Sequence, residues 1–186
     1  SYVLELPPYR KPQLGKIVVR SLFDRTAFVL GRAAAVAAPA GLIIWLAANI
    51  NVNGASILSI CAAALDPIGK IMGLDGAILL AFILGFPANE TVIPIIIMTY
   101  AASGTLEGAG SLAETLSLFL SNGWSVRTAV CFIIFTLMHW PCSTTLLTVK
   151  KETGSLKWTA LAFLLPTAAG ALLCVAVNLF FDLFGL

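Results

Sequence analysis

An all-α, polytopic transmembrane helical bundle with two proline-broken helices is the fold this sequence predicts, and three observations predict it. The 186 residues are 59% hydrophobic and only 11% charged, with a mean hydropathy of +0.97. A soluble domain carries about 25% charged residues, so a chain this apolar cannot cover its own surface and its solvent is lipid. Four long apolar stretches recur, near 28–50, 76–102, 125–147 and 158–184. Two of them are interrupted by proline followed by polar residues: Pro87-Ala88-Asn89-Glu90, and Pro141-Cys142-Ser143-Thr144-Thr145.

Along the chain, residues 1–27 read as a lead-in. Pro7-Pro8 favours an extended path. Leu14, Ile17, Val18 and Leu22 then recur at helical spacing opposite Lys16, Arg20 and Asp24, the pattern of an amphipathic helix lying on a membrane surface. Phe28 to Ile50 predicts a spanning helix, because its 23 residues at about 1.5 Å each exceed a hydrocarbon core of roughly 30 Å. Trp45 suits the interfacial belt. Asn49 to Gly54 predicts a turn, and Ala55 to Leu65 a short helix stopped by Asp66-Pro67. Ser111-Leu112-Ala113-Glu114 is a capping box, so a helix runs from there to about Asn122. Lys150 to Gly154 reads as a polar loop before the last span, in which Pro166 predicts a kink.

Charge bears on topology. Arg10, Lys11, Lys16, Arg20 and Arg25 precede the first apolar run and Arg32 lies near its start, which places the N-terminal side in the cytoplasm by the positive-inside rule. If all four stretches cross, Lys150, Lys151 and Lys157 fall outside, against the rule. If 76–102 is instead a re-entrant hairpin of two half-helices, these lysines return inside, and the charges favour that arrangement. No cleavable signal peptide is apparent. The cysteines, Cys61, Cys131, Cys142 and Cys174, have no CxxC spacing and read as neither a disulfide framework nor a zinc site.

The chemistry gathers at the breaks. Lipid offers no hydrogen bonds, so irregular backbone at membrane depth survives only beside protein or a water-filled cavity. Broken helices carrying polar residues mark substrate sites in many transporters. Glu90, a carboxylate between two apolar half-helices, is a functional candidate by default; the alternative is a structural ion pair with Lys70 or Arg127. Cys142 follows a helix-breaking proline among hydroxyls, and thiolate with carboxylate suits a borderline metal such as iron(II). Asn89, His139 and Thr144 complete the set of candidate pathway residues. His139, the single histidine, reads on sequence alone more often as a packing residue than as a ligand.

Three segments, ELPPYRKP (Glu5 to Pro12), GFPANETVIP (Gly85 to Pro94) and HWPCSTTLLTVKKETGSLKW (His139 to Trp158), resemble in order the landmarks of the FeoB ferrous iron transporter family. The resemblance runs over nearly the whole chain. It implies that residues 28–186 are a transmembrane gate domain, the second of two gate regions, in a protein whose cytoplasmic G domain comes first. It implies multi-pass insertion in the bacterial inner membrane, iron(II) as the transported substrate, and no tightly bound cofactor. Cys142 would be the gate cysteine that contacts iron transiently, with Glu90 in the other gate motif. Many relatives carry lysine where this chain has Asn89, which alters the local charge.

No GxxxxGK[ST] loop occurs, so GTP hydrolysis is expected to belong to a G domain outside this chain and not to the chain itself. The lipid bilayer, the first gate region and that G domain are the expected partners, and no nucleic acid is. Part of a permease exposes surfaces meant for the remainder, so a homo-oligomer is also expected. The competing readings are a gate domain for a nucleoside or another divalent metal, and a membrane scaffold that transports nothing.

Overall fold

The computed structural model describes residues 14–52, 54–101 and 111–185. The ELPPYRKP segment therefore lies outside the described residues. They are almost wholly helical, as expected. The chain divides into two units, residues 1–36 and 37–186. The first holds α1 (Leu14–Ser21), a π-helical turn (Leu22–Ala27) and the start of α2 (Phe28–Asn49).

In the second unit a two-residue hairpin, β1 (Asn51–Val52) and β2 (Ala55–Ser56), occupies the expected turn. Helices α3 (Ile57–Ile71) and α4 (Gly76–Leu84) follow. A 3-10 turn at Asn89–Thr91 leads into α5 (Val92–Ala101). Then come α6 (Leu112–Ser121), α7 (Val126–Met138), α8 (Ser143–Thr153) and α9 (Leu156–Phe184). Both expected breaks are present, between α4 and α5 and between α7 and α8. The capping box at Ser111 and Glu114 forms as read.

Two boundaries differ from the sequence reading. Helix α3 continues through Asp66-Pro67 instead of stopping there. The Asp66 carboxylate accepts from Gly76 N at 3.2 Å and pairs with Lys70 at 2.6 Å, so its side chain serves the helix and the next one instead of capping a new start. Lys150 to Thr153 is not a loop but the last turn of α8. Two lysines there face the negative end of the helix dipole, and Gly154, at φ 62°, closes the turn in the left-handed region. Helix α9 runs through Pro166 as one element of 29 residues.

Helix α4 is the centre of the second unit. It is apolar on every side, as a fully buried helix must be, and every residue from Gly76 to Phe82 is buried. Ile95, Ile96, Ile97 and Met98 of α5 are buried beside it. Tyr100, in the last turn of α5, donates its hydroxyl hydrogen to Asp75, the N-cap of α4. Trp124 Nε1 donates to the same Tyr100 oxygen at 2.8 Å. The two ends of residues 75–101 thus meet, and the segment is a hairpin whose tip is the first break. Each arm, nine and ten residues, is about 14 Å long, half a hydrocarbon thickness.

Longer helices enclose the hairpin. Among the described residues, two are long and apolar enough to cross a membrane: Val126–Thr153, counted through its break, and Leu156–Phe184. The pair α3 and α4, bent by 109°, would make a third if counted as one span. Helices α7 and α9 pack through small residues: Cys174 Sγ donates to Cys131 O at 3.3 Å, and Cys131 Sγ lies 3.8 Å from Cys174 O. Large apolar side chains such as Leu137 (78% exposed) and Leu183 (82%) point outward, as lipid-facing residues do. At one end Asn178 of α9 donates to Lys70 O and Ile71 O, both at 3.2 Å, and Arg127 joins Asp182 at 2.6 Å.

Helices α3 and α4 approach so closely that a Cβ on Gly76 would sit 1.9 Å from Ala62 O, a backbone atom. Gly76→Ala is expected to destabilise by about 1–3 kcal/mol, the usual cost of overpacking. Gly41→Ala, on open α2 surface, serves as the control and stabilises by roughly 0.5–1 kcal/mol on helix propensity. Thermal unfolding in detergent reads both; equal melting temperatures for the two variants would contradict the close crossing.

Candidate functional site

Each break is built by local sequence. Gly85 ends α4, and Phe86 N, turned back, donates to Ile83 O at 3.3 Å, which occupies the carbonyl that Pro87 cannot serve. Ala88 N then donates to Gly85 O at 2.9 Å, and Thr91 caps the 3-10 turn with its hydroxyl on Ala88 O at 2.7 Å. At the second break His139 ends α7, and its backbone turns extended with ψ 173°. Pro141 prevents the helix from resuming until Cys142 acts as N-cap of α8.

The two breaks meet. Ser143 N donates to Phe86 O at 3.0 Å, so the first amide of α8 finds its partner in the hairpin tip, 57 positions away in sequence (143 minus 86). Aromatic rings close the same junction. The His139 ring lies 4.9 Å from Phe82, and Trp140 stacks on Phe163 of α9 at 5.4 Å with 16° between planes. Phe86 also meets Phe163 edge-on at 6.2 Å.

Cys142 Sγ lies 3.1 Å from the hydroxyls of both Thr144 and Thr145 and is partly exposed. Thr144 is thus a neighbour of the sulfur. Glu90 is exposed at the tip of the hairpin. It forms no ion pair with Lys70 or Arg127, which are engaged by Asp66 and Asp182. Among the described residues, no group of three or more His, Cys, Asp and Glu side chains is placed to hold a metal ion.

Buried polar atoms are nearly always hydrogen-bonded, yet among the described residues four side-chain atoms are buried with no partner: Asn89 Oδ1, His139 Nε2, Trp140 Nε1 and Ser143 Oγ. All four belong to the breaks. Asn89 and His139 were candidates from sequence; Trp140, Ser143 and the packing partner Phe163 were not. Only their adjacency to Pro141 could have flagged the first two, and nothing local flags Phe163. A separate cavity of about 600 Å³ opens at the opposite end of the hairpin, lined among others by Asp66, Asp75, Tyr100 and Trp124.

The sequence matches the Gate family, described as nucleoside recognition, over residues 30–156, a span that includes both breaks. The chain belongs to this family. Its curated relatives include the Fe(2+) transporter FeoB of Staphylococcus aureus strain MSSA476, 27% identical over 176 residues, which covers 89% of this chain and 24% of the relative. FeoB of Methanocaldococcus jannaschii is 26% identical over 86% of this chain and 24% of the relative. FeoB of Campylobacter jejuni is 25% identical over 88% of this chain and 28% of the relative. The chain spans about a quarter of the length of these relatives. No solved structure matches it. Its Gate region is similar to the membrane gate region of these FeoB relatives.

The buried Gate interior and its accessible break predict distinct thiol behaviour. In detergent, N-ethylmaleimide is expected to label Cys61 and Cys142, which are exposed or partly so, and to spare Cys131 and Cys174, which are buried. Peptide mass spectrometry gives the sites. Labelling of Cys131 or Cys174 in the folded protein as fast as Cys142 would contradict the α7–α9 packing.

Proposed function

We propose that this Gate region forms part of an iron(II) path across the bacterial inner membrane, with the ion passing the junction of the two breaks. The observation that supports it most is the Ser143 N to Phe86 O hydrogen bond. It joins two polar interruptions at the tip of an arm about half a bilayer long, the depth at which transporters bind their substrates. Glu90, exposed and without an ion-pair partner among the described residues, attracts the cation. Cys142 contacts it as a softer donor, and Asn89, His139 and Thr144 line its route. Two donors acceptable to iron(II), without a closed cage, allow the ion to leave as well as to bind.

In this reading residues 1–27 are a cytoplasmic lead-in with an interfacial helix and 28–186 the gate domain. The hairpin of α4 and α5 is taken as re-entrant, a reading supported by its ends meeting at Asp75 and Tyr100. Spans at 28–50, 125–147 and 158–184 then return Lys150 and Lys151 to the cytoplasmic side with the N-terminal charges, in accord with the positive-inside rule. The relatives are about four times as long, which leaves room for a first gate region and a G domain as partners, with self-association a further element of the proposal. The family's description, nucleoside recognition, favours one second reading, in which the Trp140–Phe163 stack receives a base.

Iron(II) uptake by the transporter containing this chain tests the proposal. Cys142→Ser and Glu90→Gln, each matched for membrane abundance, are expected to reduce uptake by roughly tenfold or more, as loss of a metal contact does. Near-normal uptake in both would reject a direct role. Uptake blocked by an unlabelled nucleoside and indifferent to iron(II) would transfer the site to the second reading.

A further inference from the structure

His139 carries the inference furthest. Its Nδ1 lies 2.8 Å from Thr136 O, and a carbonyl can only accept, so in the neutral ring Nδ1 holds the hydrogen and Nε2 presents its lone pair. The ring cannot turn freely, being packed against Phe82 at 4.9 Å, Trp140 at 5.9 Å and Phe135 at 6.1 Å. Nε2 is nevertheless buried with no hydrogen-bond partner. A packing role explains the ring's position but not that atom: phenylalanine would fill the space without burying an unmatched acceptor. A backbone carbonyl that orients one imidazole nitrogen while the other is left open is the arrangement that prepares histidine to bind a metal.

Resting on the reading that a metal ion passes this junction, we propose that His139 Nε2 is a nitrogen donor to the permeating divalent cation, with Asn89 Oδ1 and Ser143 Oγ as neutral oxygen donors at the same junction. Those two oxygens are likewise buried and unpartnered, and Ser143 is held to the hairpin tip through its own amide. Trp140 Nε1 can only donate and takes no part in holding a cation. Imidazole suits first-row transition metals, whereas magnesium and calcium prefer an all-oxygen shell. His139 therefore sets selectivity: it favours iron(II) over the far more abundant magnesium.

The test uses the complete transporter in liposomes containing a metal-sensitive dye, with iron(II) uptake measured against rising magnesium. His139→Gln keeps hydrogen-bonding capacity and loses the imidazole; His139→Cys restores a donor suited to transition metals. The expected result is that His139→Gln is half-inhibited by at least about tenfold less magnesium than wild type, the scale of disturbing a metal's ligand set, while His139→Cys stays near wild type. His139→Asn gives the same reading if the glutamine protein fails to fold. A structural role would lower uptake without moving the magnesium concentration for half-inhibition. An unchanged concentration in His139→Gln, or an equal drop in His139→Gln and His139→Cys, overturns the assignment while iron transport stands. Wild-type liposomes that take up no iron(II) would remove the transport reading and this assignment together.

Discussion

An amide left unpaired in hydrocarbon costs several kcal/mol, and the second unit is organised around that cost. Pro87 and Pro141 interrupt the helical ladder. The chain answers by serving one break with the other: the amide that opens α8 is accepted by the carbonyl left over at the tip of the α4–α5 hairpin. Because that bond can form only if the tip lies against the α7–α8 turn, it fixes the depth of the hairpin. It also explains why α4, the most apolar helix, is the innermost element and not a lipid-facing one.

The rest of the packing holds that meeting in place. Asp75, Tyr100 and Trp124 pin the hairpin at its base, and Gly76 lets α3 press against it. Asn178 and Arg127 bind α3, α7 and α9 at one end. Phe163 completes the enclosure between Phe86 and Trp140. The strong, well-satisfied polar contacts are thus at the hairpin base and helix ends. The four unmatched atoms among the described residues are at the breaks.

Much of this was legible in the residues themselves. Composition gives lipid as the solvent, and proline followed by Asn-Glu or Cys-Ser-Thr-Thr marks the two breaks. The motifs around them resemble FeoB, and the Gate match together with the FeoB relatives supports a gate region of that type. What was not legible depends on distance in sequence. Asp66-Pro67 looks like a stop until Asp66 is seen holding Gly76 ten residues on. Lys150 to Thr153 looks like a loop because its residues are polar, yet basic residues are what the end of a helix favours. His139 could not be told from a packing residue, because its meaning lies in one ring nitrogen facing Thr136 and the other facing no partner. The Ser143–Phe86 bond leaves no trace in either local segment.

Tyr100 and Asp75 make the hairpin a lever with its pivot at one end and its working point at the other. A lever about 14 Å long turned by about 10° carries its tip through about 2.4 Å. A hydrogen bond of 3.0 Å is lost once the atoms part by well under an ångström more. A tilt of that size is therefore large enough to part the two breaks. In mechanical terms the fold sets the Asp75–Tyr100–Trp124 anchor at one end of this short arm and the Ser143–Phe86 backbone hydrogen bond at the other.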